Sequence, residues 1–271
     1  MIKNIFAQTA VAAIAMVSLL GCAHADPKND ASSPEKTFRV MTFNIHHGVG
    51  IDGKLDLERI AEVIKQEKAD LVALQEVDKG IPRSNKLDVG GELAQMTGMR
   101  SVFSNNYAFQ GGQYGNAILS RFPIVSIDHR LLPKTDLPEQ RGWLKTVVNV
   151  HGRELSLWNT HIDHRRDDTE RMLAVTKFKE WAREEKLPIL FCGDFNALPG
   201  SRTFNEMTEQ FDDVWLKVGE GNGFTFPVKN SNRRIDYIFL SKGAGIEPIR
   251  AWVPQTEASD HLPVVAEFKW K

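Results

Sequence analysis

Apolar runs of strand length recur along this chain, and a polar side chain stands at the end of most of them. Asn44 lies at the end of FRVMTFNI, Glu76 lies near the end of DLVALQEV, and Asp194 follows PILFC. Strands this apolar are buried on both faces, so they need a packed layer on either side. Ligand sites gather where the strands of such sheets end. The chain is therefore expected to fold into covered sheets with a polar site along one edge.

Helical periodicity separates some of these strands. Leu57, Ile60 and Ile64 recur at helical spacing after Asp56, whose side chain suits an N-cap. Two more helices are predicted, over residues 91–97 and 169–185. The other strands are predicted over residues 116–120, 144–150, 154–161, 234–240 and 263–270, with a hairpin between the second and the third. Hairpins mixed with strand–helix–strand units predict an α/β (α+β) fold with helices outside the sheets.

The last predicted strand alternates apolar with polar side chains, so it is expected to bury one face only. With 271 residues, of which 42% are hydrophobic, the chain can bury a full core. No repeat and no linker interrupts residues 37–271, which are predicted to form a single catalytic domain. Residues 26–36 are polar and contain proline and serine, and this composition is typical of a flexible linker.

The first 25 residues have the pattern of an export signal. Lys3 precedes an apolar run that is too short to span a membrane comfortably. Leu19–Cys22 resembles a bacterial lipobox, which would leave Cys22 lipidated, whereas Ala23–Ala25 is an A-x-A site that would release a soluble chain. The protein is therefore expected to be periplasmic or secreted, or anchored to a membrane as a lipoprotein through Cys22.

The cysteine content and the net charge limit the partners that the protein is expected to have. Cys22 and Cys192 are the only cysteines, so no disulfide is expected, and Cys192 is predicted to pack in the core. The chain has 34 basic and 35 acidic residues, and loss of Lys3 with the signal leaves 33 against 35, a net charge of −2. This balance does not favour tight nonspecific binding to a nucleic acid duplex. A monomer is expected.

The polar residues at the strand ends share a chemistry. Carboxylate and amide oxygens dominate the set, which has no available thiolate and therefore suits Mg²⁺, or Mn²⁺, better than a soft metal. His161 and His261 add groups that can transfer protons near neutral pH. Metal, carboxylates and histidines together predict phosphoester hydrolysis by an activated water.

The ordered set of motifs resembles the endonuclease/exonuclease/phosphatase superfamily, which includes DNase I and neutral sphingomyelinases. The matching segments are MTFNI (41–45), LQEV (74–77), YGNAILSR (114–121), NTH (159–161), GDFN (193–196), RIDY (234–237) and SDH (259–261). The resemblance implies a four-layer sandwich of two mixed, largely antiparallel β-sheets packed face to face with helices outside.

The resemblance also implies roles for individual residues. The metal would be held by Glu76, with Asn44 and Asp260 as direct or water-mediated ligands. Catalysis would fall to Asp194, which orients or deprotonates the water, to Asn196 on the phosphate, to His261 oriented by Asp236, and to His161. Substrate binding is assigned to Tyr114, Asn116 and Arg141.

The substrate is the open part of this interpretation. Three loop segments, at Arg83–Asn85, Phe109–Gly112 and His164–Arg166, are candidates for substrate selection, and one of His46 and His47 is expected to reach the site. A small or lipid-linked phosphoester is favoured, and an extracytoplasmic DNase I-like nuclease is the alternative. Two rival interpretations are a zinc hydrolase, which the spaced pair His161 and His164 and the adjacent pair His46 and His47 suggest, and a catalytically inactive binding module.

Overall fold

The computed structural model describes residues 36–135 and 139–271, so the predicted export signal and nearly all of the predicted linker lie outside the described residues. The strands are β1 (Thr37–Asn44), β2 (Leu71–Lys79), β3 (Arg100–Phe109), β4 (Gly112–Ser120), β5 (Ile124–Leu131), β6 (Gly142–Val150), β7 (Arg153–His161), β8 (Ile189–Asp194), β9 (Phe211–Asp213), β10 (Asp236–Ser241), β11 (Ile246–Trp252) and β12 (Val264–Trp270). The helices are α1 (Leu57–Gln66), α2 (Val89–Thr97), α3 (Thr169–Glu184), α4 (Arg202–Thr208) and α5 (Val214–Val218). No helix in the described ranges has the length and the apolar character that crossing a bilayer requires.

Two six-stranded sheets form the centre of the fold. The first sheet has the order β11-β12-β1-β2-β4-β3, and the second has the order β5-β6-β7-β8-β10-β9. The pairs β1–β2 and β7–β8 are parallel, and the other neighbouring strands are antiparallel. The predicted sandwich of two mixed sheets is confirmed.

Apolar side chains fill three layers. Between the sheets lie side chains of both, among them Val40, Ala73, Leu157, Cys192 and Ile238. A second layer joins the first sheet to α1 and α2, and a third joins the second sheet to α3 and α4. The central strands therefore bury both faces, as their continuous apolar sequences predicted. Cys192 is fully buried, and this burial raises the pKa of its thiol.

The structure confirms some local predictions and corrects others. Asp56 caps α1, because its Oδ1 accepts hydrogen bonds from the backbone N–H groups of Glu58 and Arg59. In β12, Val265 is fully buried against the α1 side, so the start of this strand buries both faces rather than one. Strand β4 begins at Gly112, which places Asn116 inside the strand and not at its start.

Strands β3, β5, β9 and β11 were not predicted from the sequence. All four are the outermost strands of their sheets. Their sequences mix polar and apolar side chains without a long apolar run. A strand at an edge is exposed on one side and needs less apolar surface than a central strand. The continuous apolar sequence that identifies the central strands of each sheet is therefore weak in the edge strands.

A buried amide links the two sheets. Asn159 Nδ2, from β7, donates to the carbonyl oxygens of Leu74 and Ala117 in the first sheet, each at 2.8 Å. Its Oδ1 accepts a hydrogen bond of 2.7 Å from Gln75 Nε2. All the polar atoms of this side chain therefore have partners in the opposite sheet, although Asn159 is fully buried.

We expect Asn159→Ala to lower the free energy of unfolding by about 2–4 kcal/mol, because it leaves buried carbonyl groups without a donor. Guanidinium denaturation followed by tryptophan fluorescence measures the change. The matched control is Asn205→Ala, at an exposed position of α4, for which a change within about 0.5 kcal/mol is expected. Equal losses in the two variants would show that the inter-sheet hydrogen bonds carry no special stability.

Candidate active site

A polar pocket of about 670 Å³ opens where the central strands of both sheets end. Eight of the eleven predicted site residues line it: Glu76, Tyr114, Arg141, His161, Asp194, Asn196, Asp260 and His261. The other three, Asn44, Asn116 and Asp236, are buried and lie behind the pocket wall. A larger groove of about 820 Å³, bordered by Trp215 and Trp252, contains none of the predicted site residues.

A β-bulge carries Glu76 into the pocket. The register of β2 against β4 shifts between Leu74 and Val77, and Glu76 has a φ of 57°. A bulge changes the direction of a side chain relative to the regular alternation of the strand. Glu76 is therefore half-exposed in the pocket, whereas Gln75 and Val77 on either side of it are fully buried.

Asn44 connects the two sheets at the base of the pocket. Its Nδ2 donates to Glu76 Oε1 at 3.0 Å and to Asp194 Oδ2 at 3.1 Å. Its Oδ1 accepts from the backbone N–H of His46. Asn44 was predicted as a direct or water-mediated metal ligand, but in this arrangement it turns its nitrogen towards the carboxylates and holds them in place.

Asp194 and Asn196 are brought together by a turn and not by an extended strand. Side chains two residues apart on an extended chain would point in one direction, but Asn196 has a φ of 45° and has left the strand. The backbone N–H of Asn196 donates to Asp194 Oδ1 at 3.0 Å, and this closes a tight turn after β8. Gly193 precedes this turn, and a Cβ there would lie 2.3 Å from the carbonyl oxygen of Thr160 on β7.

His261 is held as a cation by buried carboxylates. Its Nδ1 lies 3.0 Å from Asp236 Oδ2, and its Nε2 lies 3.8 Å from Asp194 Oδ2. Burial opposes the charge, but Asp236, Asp194 and Asp260 outweigh it and raise the pKa of His261 to about 10. Because Asp236 touches the ring from behind the wall, it positions His261 and leaves the Nε2 edge to the pocket.

His161 is neutral, in contrast to the positively charged His261. Burial, then Arg141, then His261 and His164 lower the pKa of His161 well below its ordinary value. Its Nε2 lies 3.2 Å from Asn196 Nδ2 and 3.5 Å from Asp194 Oδ2. The pocket therefore combines one charged and one neutral histidine.

The carboxylate of Asp194 lies between the rings of His161 and His261. Burial and the negative charge of Asp236 raise the pKa of Asp194, while His261, the backbone N–H of Asn196 and the amide of Asn44 lower it, with a result of about 7. A carboxylate with this pKa can both accept and release a proton near neutral pH.

The donor chemistry of the pocket fits a hard divalent cation on the side of Glu76 and Asp260. Both carboxylates line the pocket, the side chain of Asp260 is 39% exposed, and the bulge aims Glu76 at the same space. A second acidic group, Asp194, Asp236 and His261, has ligand atoms within 4.8 Å of one another. In this group His261 is protonated and bonded to Asp236. It is therefore better suited to stabilising negative charge on a ligand than to binding a metal.

The zinc interpretation gains no support from the geometry. Among the described residues, no group of three close metal-binding side chains includes His46, His47 or His164. His164 instead lies in the loop after β7, with its Nδ1 3.4 Å from Arg141 Nη2.

Arg141 lines the pocket, whereas Asn116 lies deeper, behind the pocket wall. Arg141 is 8% exposed, and its Nη1 lies 3.0 Å from Glu139 Oε1 without the alignment of a hydrogen bond. The guanidinium thus brings a positive charge to the pocket wall, and Glu139 partly balances it. Asn116 donates from Nδ2 to the carbonyl oxygen of Gly142 at 3.2 Å and joins the sheets behind the pocket.

Several lining residues were not identified as site residues from the sequence. Tyr107, Glu139, Phe226, Arg233 and Ile235 complete the wall, together with His46, Arg83, Phe109 and His164 from the segments expected beside the site. Tyr107 lies on β3, whose sequence does not predict a strand, and Phe226 and Arg233 lie on the segment before β10. Only their placement in three dimensions reveals them.

We expect the two histidines of the metal-free protein to differ in protonation between pH 6 and pH 8. His261 should keep both ring protons, because its pKa of about 10 lies above this range, whereas His161 should be neutral. Nitrogen-15 NMR of the imidazole rings measures both states, and Asp236→Asn should lower the pKa of His261. Loss of the His261 proton below pH 7 in the wild type would contradict this assignment.

Comparison with known proteins shows the family to which this chain belongs. Residues 41–261 match the model of the endonuclease/exonuclease/phosphatase family. YbhP, an uncharacterized protein of Escherichia coli K12, is 27% identical over 250 residues, which cover 86% of this chain and 96% of the relative.

Two solved structures share the fold. An endonuclease/exonuclease/phosphatase from Beutenbergia cavernae superposes with a TM-score of 0.73 at 24% identity, covering 86% of this chain and 72% of that one. The mannosyl-6-phosphatase Bt3783 of Bacteroides thetaiotaomicron superposes with a TM-score of 0.71 at 20% identity, covering 86% of this chain and 100% of that one. On the family match across most of its length, this chain belongs to the endonuclease/exonuclease/phosphatase family.

Proposed function

We propose that this protein is a divalent-metal-dependent phosphoester hydrolase that attacks phosphorus with an activated water, and that its substrate is a small or lipid-linked phosphoester. The family is one of hydrolases that act on phosphoesters. The observation that carries the proposal is the shared pocket, in which the charged His261–Asp236 pair adjoins Asp194 and faces the carboxylates Glu76 and Asp260.

Glu76 and Asp260 would hold the ion, with Asn44 fixing the orientation of Glu76 from below. Magnesium or manganese bound there would neutralise phosphate charge and polarise an oxygen. A carboxylate fixed by a neighbouring hydrogen bond keeps its geometry when a ligand arrives, so it loses little conformational freedom on binding.

Asp194 would orient the attacking water and accept its proton. Both of its oxygens are held, Oδ1 by the backbone of Asn196 and Oδ2 by Asn44. These hydrogen bonds fix the carboxylate in one position, and its pKa of about 7 suits a general base at neutral pH.

Donors on the other side of the pocket would bind the phosphate. Arg141 offers N–H groups, and the charged edge of His261 can stabilise the negative charge that grows on the phosphoryl oxygens. Asn196 Nδ2 donates to the carbonyl oxygen of Ile162 and would exchange its contact with His161 Nε2 for a phosphate oxygen. Neutral His161 would line the phosphate site without adding a further positive charge. Tyr114 lines the same wall, and Asn116 would support it from behind.

We expect Glu76→Gln and Asp194→Asn each to lower turnover by at least about a hundredfold, because each removes a charge that acts on the reacting groups. Hydrolysis of bis-p-nitrophenyl phosphate in Mg²⁺ measures the loss, and excess chelator should abolish the wild-type activity. The control is Glu62→Gln on the exposed face of α1, which should leave turnover unchanged. Full activity in chelator would overturn metal dependence, and a wild type without any turnover would favour a binding module.

The size and charge of the site favour a small or lipid-linked substrate. The chain is slightly acidic without its first 25 residues, and the pocket is a compact cavity. The mannosyl-6-phosphatase that shares the fold acts, by its name, on a sugar phosphate, which supports a non-nucleic phosphoester as the substrate here. An exported or membrane-anchored enzyme, acting as a monomer, would meet such substrates outside the cytoplasm.

One observation favours a nuclease as the second candidate. A neighbouring groove of about 660 Å³ shares His164, Asn196 and Arg233 with the pocket and continues past Arg165 and Arg166. Exposed arginines along a groove suit the phosphate backbone of a nucleic acid strand.

A substrate panel in Mg²⁺ decides between the two. We expect faster hydrolysis of sugar phosphates or sphingomyelin than of plasmid DNA or RNA, because the pocket is compact and the net charge is negative. Plasmid nicking that is efficient and falls steeply with salt, as binding to a phosphate backbone requires, would reverse this order. The variant Arg166→Gln should then slow nicking while leaving the hydrolysis of small esters unchanged.

A further inference from the structure

Arg83 lies on the pocket wall next to Glu76 but takes no part in the hydrolytic groups described above. It belongs to the short 3₁₀ turn Pro82–Ser84 that follows β2. Its Nε and Nη2 donate to the two carboxylate oxygens of Asp78, each at 2.8 Å. The side chain of Asp78 is fully buried, whereas that of Arg83 is 32% exposed and borders the pocket.

Two aromatic rings fix the guanidinium further. Its Cζ lies 5.1 Å from the ring centre of Phe109 and 5.5 Å from that of Tyr114. Tyr107 packs against both rings, with centroid distances of 5.8 Å and 5.4 Å. A guanidinium held by a bidentate carboxylate and two ring faces has lost most of its rotamer freedom before any ligand arrives.

The guanidinium of Arg83 has N–H groups that its contacts with Asp78 do not use. An arginine has five N–H groups, of which the contacts with Asp78 use two. Among the described residues, Asp78 is the only hydrogen-bond acceptor of Arg83. The partly exposed edge of the guanidinium therefore presents free N–H groups to the pocket, in the fixed planar geometry that carboxylate and phosphate groups recognise.

We propose that Arg83 is a specificity-determining residue that binds a second anionic group of the substrate, so that the enzyme selects phosphoesters carrying a phosphate or carboxylate beside the ester that it cleaves. This inference rests on the proposed phosphoester hydrolysis. The scissile phosphate has its own donors in Asn196, Arg141 and His261, and no hydrogen bond joins Arg83 to any of these three. A separate anion is the ligand that its free edge fits.

A purely structural role accounts for only part of this arrangement. Buried Asp78 needs a cationic partner, and Arg83 supplies one. That need does not require the opposite edge of the guanidinium to border the catalytic pocket. Arg250 provides a comparison outside the site: it donates from Nε to Glu267 Oε2 at 2.7 Å and lies 4.6 Å from the ring centre of Trp252.

The test compares matched ligands that differ by one anionic group. Glycerol 3-phosphate is paired with 3-phosphoglycerate, and fructose 6-phosphate with fructose 1,6-bisphosphate, which sample two spacings between the anions. Calorimetric Kd values without metal, and kcat/KM with Mg²⁺, are measured for the wild type, Arg83→Gln and Arg250→Gln. The pair of soluble inositol 1,4-bisphosphate and vesicle-bound phosphatidylinositol 4-phosphate separates a free substrate from a lipid headgroup.

The wild type and Arg250→Gln should favour the ligand with the second anion in at least one pair, and Arg83→Gln should lose about ten- to hundredfold for that ligand alone. The double variant Asp78→Asn/Arg83→Gln removes the buried charge together with its partner, so it tests the same loss if Arg83→Gln is unstable. Equal losses for both members of every pair, or no preference in the wild type, would overturn the proposal. If the preference appears in Kd but no ester is hydrolysed, the anion site stands and the proposed hydrolysis fails.

Discussion

The candidate site depends on a hydrogen bond between the two sheets. Asn44 ends β1 in the first sheet, Asp194 ends β8 in the second, and 3.1 Å separates the amide nitrogen of one from a carboxylate oxygen of the other. The same nitrogen contacts Glu76, so one amide sets the distance between the predicted metal ligand and the predicted base. Because sheets packed face to face can slide relative to each other, this contact and the Asn159 bridge fix the register that the chemistry needs.

Backbone strain is concentrated around the same pocket. Glu76, Asn196 and His46 line it, and all three have positive φ values. Conformations of this kind cost about 1–3 kcal/mol each, so the surrounding structure has to enforce them. The hydrogen bonds that enforce two of them are visible: Asn44 Oδ1 accepts from the backbone of His46, and Asp194 Oδ1 accepts from the backbone of Asn196. Asn44 and Asp194 therefore hold neighbouring residues of the pocket in strained conformations.

The centre of the fold could be predicted from the sequence, because strands buried on both faces have continuous apolar sequences. The edge strands could not, since β3 and β5 combine polar and apolar side chains in no regular pattern. For the site, the ordered motifs identified residues that lie together, but the depth of each one depends on tertiary packing. Nothing local distinguishes Asn116, which lies behind the wall, from Asn196, which lines the pocket. Arg83 shows the same limit, because its partners Asp78, Phe109 and Tyr114 meet only after β2, β3 and β4 have paired.

The position of β12 has a consequence for how the protein is made. This strand, near the C-terminal end of the described chain, pairs with β1 near its beginning, and Thr37 Oγ1 bonds Glu267 across 230 residues. The segment just before β12 contributes Asp260 and His261, and Ser259 Oγ donates to the carbonyl oxygen of Asn44. Until β12 has been synthesised, a nascent chain thus has an unpaired edge on β1 and an incomplete pocket. The proposed hydrolysis therefore requires β1 and β12 to have paired, because only then are Asp260 and His261 in place beside the ends of the central strands.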